Sequence, residues 1–139
     1  MTLDPQNQVL TIHGVEFRHL DLERVVDSFY TRVQEDPILK EPFQSVHDWP
    51  EHIRRLTHFW WIKFGGTPYM VAQYNPVPKH YFAGFNQVLL DHWLRLFRKT
   101  LEDHLTTEQA KAWEVISLRM GQGLTLRNEI FKIEHESVE

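Results

Sequence analysis

A chain of 139 residues with 42% apolar and 24% charged content is long enough for one globular domain that buries roughly two-thirds of its unfolded surface. A net charge of -4, with no basic run longer than a pair, argues against a nucleic-acid surface, and the lack of cysteine excludes disulfides and thiolate metal sites. No window approaches the ~18 apolar residues of a membrane span, and "MTLDPQNQ" is not a secretory leader, so a cytoplasmic protein without nucleic-acid or membrane partners is expected.

Residues 1–20 show no sustained period: "VLTIHGVEF" suits a short strand or an extended arm, and its glycine argues against a helix. From Asp21, a plausible N-cap, apolar residues recur at intervals of three and four through Leu22, Val25, Val26, Phe29, Tyr30 and Val33. This predicts a helix that "DPIL" stops near Asp36, with Tyr30 on its buried side. After "DPILKEPFQSVH", a turn with one short helical piece, Asp48 and Glu51 have capping-box spacing with Pro50 in the first turn. A second helix is predicted from there to about Phe64, ended by "GG", with His52, Leu56 and Phe59 or Trp60 on one face.

Residues 65–85 hold three prolines and three glycines and are expected to be loops around one short helix near Lys79 and His80. Leu89, Leu90, Trp93, Leu94, Leu96, Phe97 and Leu101 then form a stripe wide enough for a core helix. Thr106 and Gln109 open a last helix that weakens around Gly121 and Gly123 and continues towards Phe131, before a polar tail over 132–139. No alternating strand set supports a sheet. The expectation is an all-α single domain spanning 1–139.

None of the common nucleophile, P-loop, dinucleotide or zinc-protease motifs is present. What remains is a set of polar groups on otherwise apolar faces: Tyr30, His52 and Trp93 on three helices, and His80 in the proline-rich connector. Each alone is an ordinary core residue, but four segments supplying one apiece is what the walls of a pocket require. An iron porphyrin uses this combination, since it needs apolar walls, one neutral imidazole for the iron, and Tyr or Trp donors beside a bound diatomic.

The run "FYTRVQEDPIL...PF", then "DWPEHIRRLTHFW", then a loop histidine, then "DHWLRLF" resembles the truncated haemoglobins, specifically their group III, over about residues 22–120. The resemblance implies a two-over-two helical sandwich around haem b (iron protoporphyrin IX), with residues 1–20 as an N-terminal extension. It makes Tyr30, His52 and Trp93 the distal residues, Phe43 the ring stacked on the haem, and His80 the proximal iron ligand. It also implies binding of O2, NO, CO and cyanide, or nitric oxide dioxygenation or a peroxidase-like reaction fed by a reductase, without singling out one role. Leu56, Trp60 and Phe97 are expected to line the pocket.

Arg55, at the border of the His52 face, either reaches a haem propionate or is an ordinary solvated arginine. His92 competes with His80, but it is adjacent to Trp93 and about 100° from it around the helix, so the two do not share a pocket. His47, His58 and His104 are expected on the surface or rim. Two other readings stand beside a haem protein that is a monomer or weak homodimer. One is a hemerythrin-like di-iron bundle using His47 and Glu51, and the other is a cofactor-free helical interaction domain.

Overall fold

The computed structural model describes residues 5–41, 43, 44, 46–70 and 87–136, with Gln6 and 124–136 in backbone only. A two-stranded antiparallel hairpin, β1 (Val9–Ile12) and β2 (Val15–Arg18), is followed by four helices: α1 (His19–Glu35), α2 (Trp49–Lys63), α3 (Gln87–His104) and α4 (Thr107–Glu136).

The hairpin corrects the expectation that no strand set forms a sheet. Its turn is His13-Gly14, both at positive φ (51° and 78°), the backbone that a two-residue hairpin loop requires. Leu10 pairs with Phe17 in the register, and both point inward, while Thr11 and Glu16 point out. Phe17 is fully buried with its ring edge-on to Phe64 (5.1 Å) and Trp113 (6.2 Å), so the hairpin closes one end of the core.

β2 runs directly into α1, which moves the start of that helix ahead of the expected one. Arg18 is the N-cap, and Asp21 acts from the third helical position, its Oδ2 accepting the Arg18 N–H at 2.9 Å. The buried face of α1 is the predicted one, from Leu22 to Val33. At α2, Asp48 Oδ1 accepts the Glu51 N–H at 3.2 Å, and Gly65 takes a φ of 94° just beyond the helix.

The second capping box also forms, with Gln109 N–H bonded to Thr106 Oγ1 and Thr106 N–H to Gln109 Oε1, both at 3.2 Å. The Gln109 amide reaches further, donating to the Glu16 carbonyl at 3.0 Å and tying α4 to the hairpin. α4 does not stop near Phe131: its backbone stays helical past Gly121 and Gly123 to Glu136, through most of the expected polar tail. A Cβ at Gly121 would stand 2.7 Å from Leu90, so this glycine allows close packing of α4 on α3.

Candidate functional site

Tyr30, near the end of α1, is 5% exposed and lies against residues from two other segments. Its ring is 5.8 Å from Phe43 and 5.9 Å from His52, and Phe43 and His52 are 6.4 Å apart, each pair edge-on. Three of the expected site residues therefore come together. The fourth member of this ring cluster is Trp49, which the sequence marks only as part of a helix start. It lies 5.5 Å from His52 and 6.2 Å from both Tyr30 and Phe43. The proline at the next position made capping a sufficient explanation for "DWPE", and nothing local marks Trp49 as facing inward.

His52 is half-buried, with its Nε2 shielded from solvent. Leu56, one turn on, is buried in the core as expected. Trp60, a further turn on, stacks on Phe97 (5.7 Å, 15°), which stacks on Trp93 (4.7 Å, 16°). Phe29 joins this column to the Tyr30 cluster: its ring sits 4.9 Å from each of Tyr30, Trp93 and Phe97. It was legible only as one more residue of the α1 stripe.

Arg55 is half-exposed at the edge of α2 and pairs with Glu51 at 3.1 Å, a carboxylate it shares with Arg54. Glu51, offered as a di-iron ligand, is thus committed to two arginines. Among the described residues no group of three or more His, Cys, Asp or Glu is placed to hold a metal ion. His92 turns to α1, donating from Nε2 to the Asp36 carboxylate at 2.9 and 3.0 Å. Burial alone raises the Asp36 pKa, but the His92 bond and the backbone N–H groups of Leu39 and Ile38 outweigh it, and the carboxyl is held below its ordinary value. His80 falls within 71–86, outside the described residues.

His47 and His104 are exposed as expected, but His58 is not: it is 3% exposed. Residues 66–70 fold back over the second face of α2, where Trp61 Nε1 donates to the Thr67 carbonyl at 3.0 Å. His58 Nε2 accepts the N–H groups of Tyr69 (3.1 Å) and Met70 (3.3 Å), which leaves Nδ1 as the protonated nitrogen. Burial and the neighbouring His19 hold its pKa down. Beside it His19 Nε2 meets the Tyr69 hydroxyl at 2.5 Å and His19 Nδ1 lies 3.2 Å from Glu23. Burial and the Glu23 charge push the Tyr69 hydroxyl up to about 12.

The arrangement has two chemically distinct sides. Tyr30, Phe43, Trp49, His52 and Leu56 combine flat apolar surface with a phenol and an imidazole, a donor set suited to a planar apolar group that carries a small polar ligand. The His19–His58–Tyr69 group is a hydrogen-bonded clasp on the far side of α2.

The sequence model of the bacterial-like globin family matches residues 18–122. No curated protein sequence matches the chain. The fold is similar to the crystal structure of group III truncated hemoglobin from Campylobacter jejuni, with a TM-score of 0.70 at 21% identity over 78% of this chain and 89% of that one. With the family model spanning most of its length and its helices arranged as in that structure, the chain belongs to the bacterial-like globins, haem-based proteins for small ligands, and has the truncated-haemoglobin fold.

Proposed function

We propose that the chain is a group III truncated haemoglobin that binds haem b beside Tyr30, Phe43, Trp49 and His52 and holds O2 or another small diatomic on that side. The observation that carries this reading is the triangle of Tyr30, Phe43 and His52, three rings from three segments within 5.8–6.4 Å of one another. Haem bound there would supply an iron centre able to take a small diatomic ligand that benefits from nearby hydrogen-bond donors.

The residues of the chain do the rest. Tyr30 O–H and Trp93 N–H donate to the ligand, and a partly dry site strengthens such bonds. Leu56, Trp60, Trp93 and Phe97 form the apolar wall that limits water. His52 would add an imidazole beside the bound ligand, and His80 would be the residue that holds the iron. The commitment of His92 Nε2 to Asp36 supports His80 over its competitor. Arg55, at the solvent edge, reaches a propionate by exchanging its contact with Glu51.

Two donors on one ligand slow its release, which suits chemistry better than transport. NO and O2 combine with one electron to give nitrate, and peroxide reduction also consumes electrons, so the proposal includes a reductase as partner. The test is the absorption spectrum of the purified protein. A Soret band lost, or shifted out of its five-coordinate form, in His80→Ala but retained in His92→Ala supports the reading, and no Soret band after haem reconstitution sinks it. O2 dissociation that accelerates in Tyr30→Phe and in Trp93→Phe identifies the donors, and an unchanged rate in both rejects them.

A further inference from the structure

α1 and α3 lie antiparallel along a polar seam. Ser28, Arg32 and Asp36 recur every fourth residue on one side of α1, and their partners run backwards along α3. His104 Nε2 meets Ser28 Oγ at 2.8 Å; Arg32 donates to Thr100 Oγ1 at 3.2 Å and Asp103 Oδ2 at 2.8 Å; His92 donates to Asp36. The first two contacts meet α3 at Thr100, Asp103 and His104, seven or more residues beyond Trp93. The third meets it at the residue next to Trp93.

Asp36 is a corner of the fold. It ends α1, and its Oδ1 accepts the N–H groups of Ile38 and Leu39, both at 2.9 Å, fixing the turn that leads towards Phe43. The same carboxylate takes the imidazole of the residue immediately before Trp93, and both side chains are largely shielded from solvent, at 23% and 15% exposed. One contact thus links the C-terminal end of the Tyr30 helix, the turn before Phe43 and the first turns of the Trp93 helix. The Trp93 ring itself is held by Phe29 and Phe97, contacts that resist separation but direct a helix weakly against rotation or sliding. A directional carboxylate–imidazole bond supplies that direction.

We propose that His92 and Asp36 are a positioning pair that sets where the Trp93 indole N–H stands relative to Tyr30 and Phe43; this rests on the reading of Trp93 as a ligand donor. A small slide of α3 against α1 misaligns a hydrogen bond long before it disrupts packing. The pair acts through Trp93 and touches no ligand itself.

The experiment compares His92→Ala, His92→Gln, Asp36→Ala and Arg32→Met in the haem-loaded protein. The readouts are the C–O stretching frequency of the CO complex, the O2 dissociation rate and the indole 1H–15N resonance of Trp93 in the apoprotein. His92→Ala and Asp36→Ala are expected to shift the C–O band towards a weaker-donor frequency and to accelerate O2 release by about tenfold, the loss of one well-placed hydrogen bond. His92→Gln, which keeps a donor for Asp36, is expected to restore most of both. Arg32→Met breaks the same seam elsewhere, and is expected to lower thermal stability while leaving the band and the rate in place. In a Trp93→Phe background, His92→Ala is expected to add nothing. An unshifted band and rate in His92→Ala, with release still accelerated by Trp93→Phe alone, overturns the pair and leaves the functional reading intact. If Trp93→Phe leaves release unchanged, the donor reading fails instead. The Trp93 indole resonance then decides the pair: movement in His92→Ala supports it, and no movement overturns it.

Discussion

The imidazole Nε2 of His58 accepts the backbone N–H of Tyr69 at 3.1 Å, across a separation of eleven residues, and that of Met70 at 3.3 Å. Both bonds require a neutral ring. His58 is buried, it faces His19 and the Tyr69 ring, and Glu23 and Arg54 stand behind them, so its folded pKa is lowered. An unfolded His58 titrates near 6.5. Between that value and the lower folded one the unfolded chain binds a proton that the folded chain does not, so stability falls as pH drops through this window and is level above it. His58→Gln keeps an oxygen acceptor and does not titrate. Urea midpoints measured from about pH 7 to about pH 5 are expected to fall less steeply in His58→Gln than in the parent. Parallel slopes would show that the clasp does not depend on a neutral histidine.

Asp48 and Trp49 are neighbours with separate tasks, and substitution separates them. Asp48→Ala removes the bond to Glu51 N–H and is expected to lower stability by about 1 kcal/mol with the Soret band unchanged. Trp49→Leu leaves that cap intact but removes the ring that lies against Tyr30, Phe43 and His52. It is expected to shift the Soret maximum and speed O2 release at a smaller loss of helix content. Calorimetry and circular dichroism beside the spectra check both, and a spectrum in Trp49→Leu that matches the parent would remove Trp49 from the site.

Gly65 and Gly66 are adjacent and need a missing Cβ for different reasons. Gly65 sits at a φ of 94° in open space, so Gly65→Ala carries only backbone strain, about 1 kcal/mol. At Gly66 a Cβ would overlap the Trp61 indole, and Trp61 is fully buried with its Nε1 bonded to Thr67. Gly66→Ala therefore forces the 66–70 segment off α2, and is expected to lose about 1–3 kcal/mol and to open His58 to solvent. Thermal midpoints give the order, with hydrogen exchange at Tyr69 and Met70 faster in Gly66→Ala alone. Equal midpoints for the two variants would mean that the Trp61 contact yields without cost.

The existence and order of the four helices, the cap at Asp48, the box at Thr106 and Gln109, and the inward side of α1 were legible in the sequence, while the start of α1 and the end of α4 were not. Each depends on residues no more than about four apart, because helix period and capping are local physics. The order of tyrosine, phenylalanine, histidine and tryptophan along the chain also carried the resemblance that the family match and the fold bear out. Local signals reached less far at the N-terminus: the His13-Gly14 turn and the alternation of Leu10 and Phe17 were there to read, but four-residue strands carry a weak period.

What only the tertiary structure decided is which side of a helix meets which neighbour. The spacing of His52 and His58 put them on different faces of α2, and placing His58 at the surface assumed that one face was wet. The 66–70 segment covers that second face, which no periodicity in α2 announces. Trp49 and Phe29 became site neighbours in the same way, and His92 found Asp36 fifty-six residues away. Burial is a property of what packs on a surface, and for these residues the packing partner comes from a distant part of the chain.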